Sequence, residues 1–229
     1  MLNSSDCQIA ADSSMLQDAD GALVAEANHR VANSLFTVSA LIRAAGARLG
    51  NDAELITAGR ARAVLATASG RIDAIARLHK QLTAPGGARY LDAGSYLDGL
   101  GRDLVHALSE PGRFLFRSQT GHACALPPDR ALKLGLIVSE LIINAIKYSH
   151  PSGVTGNILL TVRPREGLLL VEVADDGVGM PDGAADGAGS THGTGLVHSL
   201  CEQLGARIGY HSHDLGLRCT IEMPLTADD

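Results

Sequence analysis

The stretch Val171-Glu172-Val173-Ala174-Asp175-Asp176-Gly177-Val178-Gly179-Met180-Pro181 decides how this chain is read. A strand-forming run ends in a carboxylate, and two glycines follow it. Asp175, at the end of a buried strand, can accept a hydrogen bond from an adenine amino group. Gly177 and Gly179 let the backbone approach a ligand closely. The same residues also describe an ordinary Asp-Gly turn, so the flanking sequence has to choose.

On the upstream side, Pro127-Pro128-Asp129 opens a helix predicted over 130–149. Glu140, Asn144 and Lys147 fall at i, i+4 and i+7 and share one face, with Tyr148 beside them and Leu, Ile and Val opposite. A carboxylate, an amide and an ammonium on one stripe suit a Mg²⁺–phosphate group. The Asn144 amide oxygen can ligate the ion and Lys147 can neutralise phosphate oxygens. The competing reading is the solvated face of an amphipathic helix. On the downstream side, Gly183, Gly187 and Gly189 precede Gly193-Thr194-Gly195-Leu196, which enters a helix predicted over 194–204. Glycines ahead of a helix N-terminus make a phosphate cradle. A further helix over 92–108 and strands near 113–119, 157–163, 168–174, 207–212 and 217–223 complete an α+β layout, with helices on one face of a mixed sheet.

The first half has a different period. Helical patterning over 16–49 carries Val24, Val31, Val38, Ala45 and Asn28, Leu35, Ile42, Leu49, two interleaved series of period seven. Gly50-Asn51-Asp52 marks a turn. A second helix over 53–82 carries Leu65, Ile72, His79 and Ala61, Ala68, Ile75, Leu82, and Pro85-Gly86-Gly87 ends it. The prediction is an all-α antiparallel two-helix hairpin over 16–84, preceded by a flexible leader over 1–15 and followed by an α+β sandwich over 89–229. A lone hairpin exposes its apolar stripe, and pairing two of them into a four-helix bundle covers it, which predicts a homodimer.

Composition narrows the class. The 229 residues are 45% hydrophobic and 19% charged, as in a globular chain, but only 3% aromatic with no Trp, so the core has to be aliphatic. A net charge of −6 speaks against nucleic-acid binding through bulk electrostatics. No apolar run approaches the ~18 residues of a membrane span, and the nearest, 134–146, contains Glu140 and Asn144. The first residues lack the basic and apolar regions of a signal peptide. Four scattered cysteines form neither a metal-type pair nor a disulfide framework, which points to the cytoplasm.

Over residues 89–224 the order of these motifs resembles the ATP-binding fold shared by histidine kinases, DNA gyrase, the Hsp90 chaperones and MutL. The segment from Leu136 to Tyr148 is similar to the N-box of that fold, Asp175-Asp176-Gly177-Val178-Gly179 to its G1 box, and Gly193-Thr194-Gly195-Leu196 to its G2 box. The resemblance implies ATP and Mg²⁺, with the ion at Asn144 and Glu140 as a second candidate ligand. It implies phosphate contact from Lys147, adenine recognition by Asp175, and a nucleotide site completed by Tyr148, Gly177, Gly179, Gly193, Thr194, Gly195 and Leu196. Residues 180–192 would form the lid.

The first half selects the branch. Glu26-Ala27-Asn28-His29-Arg30-Val31-Ala32-Asn33-Ser34-Leu35 resembles the H-box of bacterial histidine kinases with a His-Arg-x-x-Asn motif, relatives of the HWE kinases. With Asn28 and Val31 on the seam, His29 lies one position, about 100°, away from it and points outward. A neutral imidazole is a competent nucleophile. Glu26, one turn earlier, can orient His29 or take its proton. Arg30 can hold phosphate oxygens, and Asn33 can position a water. A solvated helix face accounts equally well for Glu26 and Arg30. Three departures stand out. Ala32 replaces a usual Lys, Gly216-Leu217 replaces a usual Gly-Thr, and Leu170-Val171-Glu172 lacks the Trp of the HWE group.

The expectation is a soluble kinase without its own sensor, since about twenty residues precede the hairpin. It would transfer the ATP γ-phosphoryl group to His29 and then to an aspartate of a response regulator receiver, with an upstream sensor acting in trans. The alternatives are a histidine phosphotransferase that relays phosphoryl groups without ATP, and an ATP-gated binding module.

Overall fold

The computed structural model describes residues 90–150, 154–179, 192–213 and 216–225, together with isolated positions between 42 and 77. The chain divides into Met1–Ala47 and Arg48–Asp229. The predicted leader, the hairpin turn, Glu26, His29, Arg30 and Asn33 lie outside the described residues, as does the predicted lid except for His192.

The second unit builds one sheet and a layer of helices. In chain order it contains β1 (Leu91–Asp92), α1 (Ala93–Leu108), β2 (Phe114–Thr120), β3 (Ala125–Leu126), α2 (Pro128–Tyr148), β4 (Gly156–Arg165), β5 (Leu168–Asp175), α3 (His192–Leu204), β6 (Arg207–His213) and β7 (Gly216–Pro224). The five-stranded sheet runs β2-β4-β5-β7-β6, and β1 pairs with β3 separately. β2 and β4 are parallel, so the chain needs a crossover between them, and α2 supplies it. The other neighbours are antiparallel. β4 and β5 form a hairpin in which Arg165 faces Leu168 across the two-residue turn Glu166-Gly167. Both turn residues have positive φ, 51° and 78°, a backbone twist that matches the strands it joins.

The helices take their ends from the sequence. Asp92 caps α1 by accepting from the Ser95 N–H at 2.9 Å, and its second oxygen accepts from the Cys124 N–H at 3.0 Å, which ties the cap to the segment before β3. Pro128 opens α2 at a position that has no intrahelical N–H bond to lose. The predicted mixed sheet with helices on one face is observed, and each boundary falls within a few residues of its expectation. Every second residue of the central strands turns to the helices: Ile158, Leu160 and Val162 on β4, and Leu169, Val171 and Val173 on β5 are buried. Facing them are Leu97, Leu100 and Leu104 of α1, Ile137 and Ile142 of α2, and Val197 and Leu200 of α3. The core is aliphatic as composition requires, with Tyr96 its one fully buried aromatic among the described residues. No helix among them is long and apolar enough to cross a membrane.

Helical positions from the second predicted helix belong to this unit. Ala68 and Ile75 are buried, a β-carbon at Gly70 would stand 2.8 Å from Leu104 and 2.9 Å from Ile143, and Arg77 pairs with Asp103. That helix therefore packs on α1 and α2.

The α1–α2 contact closes where Gly135 meets Tyr96. A methyl at Gly135 would collide with the Tyr96 hydroxyl and ring, and Tyr96 is 1% exposed and has nowhere to move. Gly135→Ala gains about 1 kcal/mol of helix propensity but costs about 1–3 kcal/mol by overpacking. Urea unfolding is expected to show a net loss of about 1 kcal/mol, and an unchanged midpoint would contradict this packing.

Candidate functional site

The site forms where the end of α2 meets the turn after β5. The Ser149 carbonyl, just past α2, accepts the Val178 N–H at 2.8 Å. Gly177 presses its α-carbon onto that carbonyl, and a side chain there would collide with the Ser149 backbone. Gly179 then turns with φ +73°, a conformation costly for any residue with a β-carbon. The helix bearing Glu140, Asn144, Lys147 and Tyr148 and the turn bearing Asp175 are thus joined backbone to backbone.

Asp175 ends β5. Its Oδ1 accepts from the Gly177 N–H at 3.0 Å and the Leu217 N–H at 3.4 Å. Burial raises its pKa, and those two bonds and the nearby His150 only partly oppose the rise. Gly216, with φ +122°, brings β7 so close that a β-carbon would strike the Asp175 carbonyl. Behind it the Cys219 thiol is pushed up to about 12 by burial, with the Asp175 charge adding to the rise, so this cysteine is an inert wall of the site. Asp176 has a different role. It accepts from the Asn157 N–H at 2.7 Å and the Asn157 amide at 2.5 Å, anchoring the start of β4. Although burial raises its pKa, the Asn157 bonds prevail and hold the carboxyl below its usual value.

On α2, Glu140 is 3% exposed, which contradicts a solvated face for this stripe. Asn144 and Lys147 are half-buried, and Tyr148 is 60% exposed. Among the described residues no three His, Cys, Asp or Glu side chains are placed to hold a metal. A divalent ion would draw most of its ligands from phosphate oxygens and water, with one protein oxygen from Asn144. Mg²⁺ tolerates that arrangement well, so the donor set fits the ion. The predicted glycine-rich approach to the last helix shifts slightly. α3 begins at His192, so Gly193, Thr194, Gly195 and Leu196 form its first turn rather than a loop ahead of it. Their N–H groups are those a helix leaves without internal partners, which keeps them suited to phosphate oxygens. Asp175, Gly177 and Gly179 therefore meet the end of the helix that carries Asn144, Lys147 and Tyr148.

Sequence reasoning missed the parts played by Ser149, Asn157 and Asp176. The Asp175-Asp176 pair held a usable signal, since adjacent carboxylates at a strand end each need donors of their own.

Residues 26–108 match the family described as histidine kinase, and residues 129–227 match the histidine kinase-, DNA gyrase B-, and HSP90-like ATPase family. A blue-light-activated histidine kinase of Erythrobacter litoralis is 26% identical over 208 residues, covering 89% of this chain and 57% of that protein. The sensor histidine kinase PdtaS of Mycobacterium tuberculosis is 27% identical over 180 residues, covering 78% of this chain and 34% of that one. The chain thus spans between a third and somewhat over half of these relatives. A solved structure of an Erythrobacter litoralis blue-light-activated histidine kinase superposes with a TM-score of 0.66 at 25% identity, covering 88% of this chain and 58% of that one.

Asp175→Asn tests the site. Asn can keep both bonds to Oδ1, but its amide replaces an acceptor with a donor. Affinity for an adenine nucleotide is expected to fall ten- to hundredfold, about 1.5–3 kcal/mol. The nucleotide-free protein should melt higher at neutral pH. A carboxyl whose pKa rises on folding contributes stability below its unfolded pKa and loses it as pH rises through the folded one. The gain should therefore vanish in acid. Calorimetry with and without nucleotide reads both effects, and full nucleotide affinity in the variant would refute the role of Asp175.

Proposed function

The chain belongs to the histidine kinases, and from that membership we propose that it is an ATP-dependent protein-histidine kinase that phosphorylates His29 and passes the phosphoryl group to an aspartate of a response regulator receiver. The observation that carries the reading is the half-buried, donor-supported Asp175 carboxylate, locked by Gly177 and Ser149 against the helix of Asn144 and Lys147. A relay protein that does not use ATP has no need of such a carboxylate, which costs free energy to bury in its charged form.

Asp175 accepts the adenine amino group, and Tyr148 offers its exposed ring to the base. Lys147 neutralises phosphate oxygens, and the first-turn N–H groups of α3 receive them. Asn144 holds Mg²⁺, which screens the charge of the β- and γ-phosphates when bound. What remains is to place the γ-phosphorus in line with an imidazole nitrogen, so the residues act mainly by positioning. His29 attacks as the neutral ring. Glu26 orients it or takes its proton, Arg30 holds the transferred phosphoryl oxygens, and Asn33 positions a water for dephosphorylation. The hairpin over 16–84 pairs with a second copy in a four-helix bundle. Ile42, on the predicted seam, is 55% exposed in the single chain, which suits that pairing.

Incubation with Mg²⁺ and γ-labelled ATP, beside His29→Ala, checks the proposal. The label should be acid-labile and base-stable, and should drop at least a hundredfold in the variant. Label that persists in His29→Ala would move the phosphoacceptor elsewhere. Bound nucleotide with no label, together with back-transfer from a phosphorylated receiver, would favour a phosphotransferase.

A further inference from the structure

His150 belongs to none of the motifs, yet its ring occupies the centre of the junction just described. The side chain is 8% exposed. Nε2 lies 3.3 Å from Oδ1 of Asp176, and Nδ1 lies 2.8 Å from the Ser149 hydroxyl. Nε2 faces the Asp176 carboxylate as a donor, and Nδ1 shares a hydrogen bond with the Ser149 hydroxyl. Its edge meets Phe114 in a T-shaped contact, with centroids 6.0 Å apart. On the β4 side a β-carbon at Gly156 would stand 2.7 Å from Nδ1, so glycine there makes room for the ring. The Arg113 guanidinium donates to the His150 carbonyl at 3.4 Å.

We infer that His150 is a positioning residue for the nucleotide site: it ties the turn at 175–179 to the end of α2, and so holds Asp175 in register with Asn144, Lys147 and Tyr148. The inference rests on the nucleotide reading of that site. The two carboxylates beside the ring are served differently. Asp176 is held by Asn157 and faced by the imidazole, and its rigid placement fixes the backbone of Asp175 and Gly177. The imidazole also acts on Asp175 through space. A positive ring opposes the rise that burial imposes on that carboxyl, and so keeps the acceptor ionised to lower pH. Among the described residues the charged groups around the ring are Asp176 and Asp175 from the β5 side and Arg113 ahead of β2. Phe114, Gly156, Asn157 and Ser149 contribute no charge.

Two variants of the full chain separate position from charge. His150→Phe keeps the ring edge against Phe114 and removes both nitrogens. His150→Gln keeps a donor within reach of Asp176 but carries no charge. The probes are Mg²⁺–ATP in calorimetry, autophosphorylation kinetics, and carboxyl ¹³C NMR titration of the nucleotide-free protein. For His150→Phe the ATP Kd and KM are expected to rise about tenfold, as for loss of a hydrogen bond to a charged group, with kcat within about twofold. His150→Gln should recover most of that affinity. In both, Asp175 should titrate at higher pH than in the unaltered protein, and ATP affinity should fall off earlier on acidification. A role confined to packing would lower stability without moving that titration.

If ATP binds the unaltered protein, and His150→Phe changes neither the affinity nor the Asp175 titration, the inference is overturned. If His150→Phe fails to fold, an unmoved Asp175 titration in His150→Gln overturns it equally. An unaltered protein that binds no ATP refutes the nucleotide reading and this inference with it, an outcome recognisable before any variant is compared.

Discussion

The Val178 N–H bond to the Ser149 carbonyl is the constraint on which the site depends. It lets the backbone after β5 lie against the end of α2 with no side chain between them, because residue 177 is glycine. Without that approach, the carboxylate at the strand end and the amide and ammonium on the helix would occupy separate parts of the surface. The crossover topology sets up the meeting. α2 links parallel strands β2 and β4, so its far end returns to the end of the sheet where β4 starts and β5 stops. Asn157 and Asp176 tie that start and that stop together.

At the same junction the proposed binding site comes at the expense of stability. Asp175 is half-buried, and two N–H donors and a nearby imidazole only partly offset the loss of water. Asp176, one residue on, is fully served and contributes stability. Adjacent identical residues thus do opposite work, and the difference lies in depth: Asp175 loses more of its water than its two donors replace, while the more exposed Asp176 loses less than its Asn157 bonds return. The residue left wanting a donor is the one a ligand can satisfy.

Much of this was legible in the sequence, and the reasons differ by element. The strand at 168–175 and the helix at 128–148 declare themselves through run length, Pro placement and glycine breaks, and their boundaries moved by only a few residues. β1 and β3 were not legible, because a two-residue strand has no period to read. Their pairing is set by Asp92 bonding to Cys124, a contact distant in sequence. Spacing alone brought Glu140, Asn144 and Lys147 together. It did not show that Glu140 is enclosed, since α2 is covered on more sides than an amphipathic pattern suggests. His150 was invisible for a related reason: its neighbours Phe114, Gly156 and Asp176 come from three other segments. The first turn of α3 was placed two residues late because Gly193 and Gly195 look like loop residues but here sit within the helix.

Where the second predicted helix lies on α1 and α2, Gly70 faces Leu104 and Ile143, and Arg77 is paired to Asp103 two turns further on. Glycine at one end and an ion pair at the other act as a key and a stop. A roll or a one-residue slide of that helix would put a side chain where Gly70 leaves room, and would pull Arg77 off its partner. Ile143 adjoins Asn144, so the steric demand would arrive one residue from the proposed Mg²⁺ position. The described positions of that helix thus bear sterically on α2 beside the proposed nucleotide site, and small axial motions there would reach that site directly.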